Sequence, residues 1–118
     1  MKLLYVIQRY GEDIVGGSEA ACRQFAEHLV RAGHEVSVLT SCAKSYVTWE
    51  DFYEPGDSVI NGVQVHRLEV VGPRRPEHFG PMDQWLMSGR GNPSMWEHER
   101  WARLMGPNMK GLREWLIN

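Results

Sequence analysis

The chain has 118 residues, 42% of them hydrophobic and 24% charged, with a formal net charge of -2. That size and composition suit one globular domain with a single core, and the charge gives no basic stripe of the kind nucleic-acid binding requires. No apolar run approaches the ~20 residues of a membrane-spanning helix, and the two cysteines, Cys22 and Cys42, form neither a disulfide framework nor a zinc pattern and fit a reducing cytosol.

Leu3-Leu4-Tyr5-Val6-Ile7 is an unbroken apolar run, which predicts a strand buried on both faces as in parallel sheets. A glycine turn follows, and Ser18 is expected to cap the next helix. In that helix Ala21, Cys22, Phe25, Ala26, Leu29 and Val30 recur at spacings of three and four, opposite Glu19, Arg23, Glu27 and Arg31. Gly33 closes it and Val36 to Thr40 form a second strand. This strand–helix–strand unit of about forty residues implies a right-handed parallel crossover, the start of a doubly wound α/β sheet.

Residues 41–61 lack a periodic pattern, and so long a stretch in a compact domain tends to be functional or to hold small local structure. Asn61-Gly62 suits a type I′ hairpin turn, with the returning strand running on through Leu68 and Val70. From Gly72 to Gly91 the composition predicts mostly loop, with one short helix around Met82–Met87. Asn92-Pro93 is expected to start a helix over Ser94 to Met105, and Gly106-Pro107 to end it. A last helix places Met109, Leu112 and Leu116 on one face, and Trp85, Trp96, Trp101 and Trp115 are expected to cover the sheet. The fold class is therefore α/β, a Rossmann-like three-layer α/β/α domain with a mostly parallel sheet. It is read as one partial domain, with the sheet core and first crossover helix in 1–75 and a loop and C-terminal helices in 76–118. Because the sequence stops after a helix, it is expected to be the first part of a larger protein.

Chemistry concentrates at Gly16-Gly17-Ser18-Glu19. Backbone N–H groups at a helix start carry about half a positive charge and suit a phosphate, and glycine lets a ligand approach. An ordinary tight turn has the same composition. Arg9, just past the first strand, is read either as a phosphate or carboxylate partner or as a salt bridge to Glu12 or Asp13. Tyr46 and Trp49, with Phe52 and Tyr53, are either a sugar-stacking platform or a cluster that folds an extended segment onto the core. Arg74-Arg75 is either an anionic acceptor contact or a solvated loop. Cys42 is expected to be a buried small residue, and the histidines have no metal-site spacing.

Taken in order, Met1-Lys2-Leu3-Leu4-Tyr5-Val6, Gly16-Gly17-Ser18-Glu19, Leu29 to Thr40 with its Gly33-His34-Glu35-Val36 phrase, Tyr46 to Trp49 and Asn61 to Arg67 resemble one family. They are similar to the N-terminal domain of the family 4 retaining glycosyltransferases of GT-B architecture. The match is close over residues 1–75 and loose beyond. The resemblance implies an acceptor-side domain of an enzyme that moves a sugar from a nucleotide-sugar donor to a small-molecule sugar or lipid acceptor with retention. It assigns Gly16 and Gly17 to the interdomain cleft, with Ser18 and Glu19 behind them; Arg9 as a binding residue and Tyr46, Trp49 and Arg74 as acceptor-contact candidates come from the reading of the residues above. No catalytic residue, metal or cofactor is assigned to this chain, and the donor is expected for the full-length enzyme with its C-terminal domain. Alone, the chain is expected to lack turnover, to reside in the cytoplasm or at the inner face of a membrane, and to associate with itself through exposed apolar surface. Two alternatives stay open: a stand-alone phosphate- or nucleotide-binding module, and a non-catalytic interaction fragment.

Overall fold

The computed structural model describes residues 1–117. Its elements are β1 (Lys2–Val6), α1 (Gly17–Arg31), β2 (Glu35–Ser41), β3 (Gly56–Ile60), β4 (Val63–Leu68), α2 (Pro76–Met87), α3 (Met95–Met105) and α4 (Leu112–Ile117). The sheet runs in the order β1-β2-β4-β3. β1, β2 and β4 are parallel, with Val38 opposite Tyr5 on one side and Val65 on the other. β3 returns antiparallel to β4. The Rossmann-like, mostly parallel α/β class therefore holds. The hairpin forms where Asn61-Gly62 predicts it, with both residues at positive φ (51° and 83°), as a type I′ turn demands.

α1 lies on one face of the sheet. Cys22 and Ala26 pack with Val36, Val38, Val63 and Val65, and Leu3, Tyr5 and Ile7 border this core. The helix ends in a Schellman motif: the His34 N–H donates to the Leu29 carbonyl and the Gly33 N–H to that of Val30, with Gly33 at φ 93°. Tyr10 is fully buried beside this core, and its hydroxyl has no partner among the described residues. Burial first, then Glu27 and Cys22, push that phenol up to about 12. Tyr10→Phe is therefore expected to be neutral or to stabilise by up to about 1 kcal/mol, since it removes an unpaired group without opening a cavity. Urea denaturation checks this, and a loss above about 1 kcal/mol would mean that water satisfies the hydroxyl.

Several expectations are corrected. β1 is not buried on both faces: Leu3 and Tyr5 are half-buried against the α1-side core, whereas Leu4 and Val6, on the opposite face that also leaves Gln64 of interior β4 exposed, are 45% and 53% exposed. Phe25 also stands out in solvent, since the buried stripe of α1 is centred on Glu19, Cys22 and Ala26, away from it. The α1 N-cap is Gly16, not Ser18, which lies within the first turn. α2 is longer than the short helix expected in a loop: Pro76 suits its first position, and Pro81, inside the helix, leaves the Glu77 carbonyl without its helical donor but does not end it. α3 is capped by Ser94 in a capping box with Glu97, not by Asn92. Of the tryptophans expected on the sheet, Trp115 meets the His66 ring. Trp101 instead ties α3 to α2 through Asp83 and Phe79, while Trp85 and Trp96 are exposed.

Candidate functional site

Parallel strands gather their ligands outside their carboxyl ends. At that end of this sheet the loop from Gln8 to Gly16, the stretch after β2 and the close of β4 come together. Arg9 is 8% and Glu19 7% exposed. Nε and Nη2 of Arg9 donate to Glu19 Oε1 at 3.0 and 2.9 Å, and Nη1 donates to the Lys44 carbonyl at 2.9 Å. Ser18 Oγ donates to the other Glu19 oxygen at 3.0 Å. Burial raises the Glu19 carboxyl pKa, but bonds from its own backbone N–H, Arg9 and Ser18 outweigh that and hold it below the usual carboxylate range. Arg9 thus pairs with Glu19 rather than with Glu12 or Asp13, and pins the turn to both the helix and the strand-end loop.

That pair explains one glycine and leaves the other free. A Cβ on Gly16 would overlap the Glu19 carboxylate and stand 3.0 Å from Arg9 Nη2, so the ion pair needs a bare backbone there. Gly17 has nothing within 4 Å of where its Cβ would be. It opens the helix, beside exposed Ser18, where first-turn N–H groups have no partner within the helix. Tyr46 lies alongside, 63% exposed, with its ring 5.4 Å from the Arg9 guanidinium.

Trp49 and Arg74 belong to a different cluster. Trp49 is 4% exposed, and its Nε1 donates to the Met105 carbonyl at 2.6 Å. Arg74 Nε donates to the same carbonyl at 2.8 Å, and its guanidinium lies 4.9 Å from the Trp49 ring and 4.7 Å from that of Phe79. Met105 is the last residue of α3, whose terminal carbonyls have no helical partner and favour a cation. Both side chains therefore fasten the α2–α3 hairpin to the end of the sheet. Of the three acceptor candidates only Tyr46 is open beside the glycine turn.

A family model for a glycosyl transferase 4-like domain matches residues 16–107. The chain belongs to this family. The matched stretch of this glycosyl transferase 4-like domain begins at Gly16 itself and includes α1, the parallel β2–β4 pair and the α2–α3 hairpin. An uncharacterized glycosyltransferase of Methanocaldococcus jannaschii is 38% identical over 71 residues, 60% of this chain but only 16% of that protein's length. No solved structure matches the chain. Family and relative together give the domain a glycosyltransferase-related role. Among the described residues no group of three or more His, Cys, Asp or Glu is placed to hold a metal ion, and no helix is long and apolar enough to cross a membrane.

A second cluster at the same end was missed. Arg67, near the end of β4, is 6% exposed and lies 4.0 Å from the Tyr53 ring centroid. The Tyr53 hydroxyl donates to Asp13, which also pairs with Lys44 at 3.0 Å. The Tyr53 bond, then Lys44, lower the Asp13 pKa, while burial and that same bond push Tyr53 up to about 12. The signal was in the alternation: Val63, Val65 and Arg67 share one face of β4, so an inward arginine was legible from its register.

Proposed function

We propose that the domain forms the acceptor side of a glycosyltransferase that uses a nucleotide-sugar donor and retains anomeric configuration, with the Gly16-Gly17-Ser18 turn facing the donor diphosphate. The observation that carries this is the open first turn of α1 at the carboxyl end of a parallel sheet, held in shape by the buried Arg9–Glu19 pair. Such fixed amides can steady charge that builds on a departing diphosphate without reorganising during the reaction. The likeness of the ordered sequence segments to family 4 enzymes supports the donor class and the retaining outcome. Of the acceptor candidates read from the sequence, Tyr46 alone is exposed beside the turn.

Pyrophosphate titrated into the isotopically labelled chain tests the turn. The amide resonances of Gly17 and Ser18 are expected to move in a saturable way and to stay still in Gly17→Val, which keeps the fold because space is open at that position. The loss in affinity should be about tenfold or more. Resonances that ignore pyrophosphate, or a Gly17→Val chain that binds it as well, would remove this role from the turn.

A further inference from the structure

A cavity of about 380 Å³ opens between the 11–13 loop and the start of the β3–β4 hairpin, with Gly11, Asp13, Tyr53, Glu54 and Arg67 among its walls. It lies in the lower part of the range typical of small-molecule sites, about 300–1,000 Å³. Arg67 is its buried floor. A guanidinium carries five N–H donors, yet among the described residues the one hydrogen bond the Arg67 side chain makes is a long one, from Nη1 to the Ser41 carbonyl at 3.5 Å. Among the described residues no carboxylate approaches it within 4.0 Å. Burying a cation without an ion-pair partner is costly, and burial lowers the pKa of this guanidinium. Arg67 lines the cavity, so a ligand oxygen there could accept from its remaining donors.

The walls narrow the class of ligand. Glu12, Asp13, Glu54 and Asp57 all line the cavity. Asp13 is offset by Lys44, and Asp57 meets His66 Nδ1 at 2.7 Å, but Glu12 and Glu54 form no ion pair among the described residues. A phosphate or carboxylate reaching for Arg67 would have to pass this negative rim, and like charges brought together at a binding surface are strongly disfavoured. Hydroxyl groups meet no such barrier. They can accept from the guanidinium while donating to the carboxylates. An ammonium substituent would be drawn to the rim. Building on the acceptor-side reading above, we propose that this cavity is the acceptor subsite and takes a neutral or amino-bearing sugar ring, rejecting phosphorylated and carboxylated ones.

The test uses the full chain and four probes: methyl glucoside, glucosamine, glucose 6-phosphate and glucuronate. The first two are expected to shift the Arg67 Nε–H and the Gly11 and Tyr53 amides in heteronuclear spectra, and the last two to bind at least about tenfold more weakly. Arg67→Lys keeps the charge but loses the fork, and should abolish the shifts. Because a change at a buried position can also disturb folding, the exposed pair Glu12→Gln and Glu54→Gln provides the second variant. It should strengthen binding of the two anionic probes severalfold while leaving the neutral ones unchanged. Equal or tighter binding of the anionic sugars to the unaltered chain, shifts that map away from Arg67, or no shift with any probe would overturn the proposal. A silent cavity with Gly17 and Ser18 still answering pyrophosphate would remove this subsite and leave the transferase reading intact. Sugar shifts beside a silent turn would keep the sugar-binding cavity and remove the diphosphate role of the turn.

Discussion

Arg9→Met is expected to destabilise the domain by about 3–5 kcal/mol, the cost of leaving one member of a buried ion pair without its partner. The carboxylate left behind would be that of Glu19, 7% exposed and placed in the helix's first turn. Replacing both members with apolar residues, Arg9→Met with Glu19→Leu, should recover most of that loss, because desolvating two charges offsets much of their mutual attraction. The dependence on pH gives a second signature. In the folded chain the Glu19 pKa lies below the ordinary carboxyl value of 4.5. Its contribution is therefore fully present above that value and fades as pH falls through the lowered one. In Arg9→Met the unpaired carboxyl should instead titrate upward, so the gap between the two proteins ought to narrow on acidification. Urea denaturation at several pH values measures both effects. A gap that stays constant with pH, or a loss below about 1 kcal/mol, would mean that the pair contributes no more than a surface contact.

Trp49→Ala should be comparably costly, about 3–5 kcal/mol for a buried aromatic, but the damage should be local. The ring fills the small core with Ala43 and Val70, and its Nε1 holds the end of α3 through the Met105 carbonyl. Its backbone sits at φ 61°, a conformation a bulky residue keeps only where its surroundings impose it. Without the ring, Arg74 alone would fasten the hairpin at that carbonyl. Amide hydrogen exchange should then show residues 76–105 losing protection while β1, α1 and β2 keep theirs. Uniform loss across the chain would show that hairpin and sheet unfold as one unit.

What the sequence disclosed follows from how local each signal was. The β1–α1–β2 unit, the Asn61-Gly62 hairpin and the end of α1 at Gly33 depend on periodicity and on backbone preferences of one or two residues, and all three appear as expected. β1 departs from the expectation because Leu3 to Ile7 is equally apolar on both faces, and nothing inside five residues tells which face of a strand a helix will cover. Phe25 fits the helical stripe by spacing but lies off the side that meets the sheet. At the site, Gly16 and Gly17 look alike in sequence and differ in space, since only the coordinates set the Glu19 carboxylate against the first of them. Trp49 and Arg74 could not be assigned for a similar reason. Their shared partner is a carbonyl more than thirty residues further along the chain.

Among the described residues β1, at the edge of the sheet, leaves one row of backbone donors and acceptors unmatched, with Leu4 and Val6 bare on the face opposite α1. Lys2 is the strand's only charged residue, and it sits at one end. A net charge of -2 offers little mutual repulsion, and an uncovered strand edge of this kind is a template on which another strand can pair.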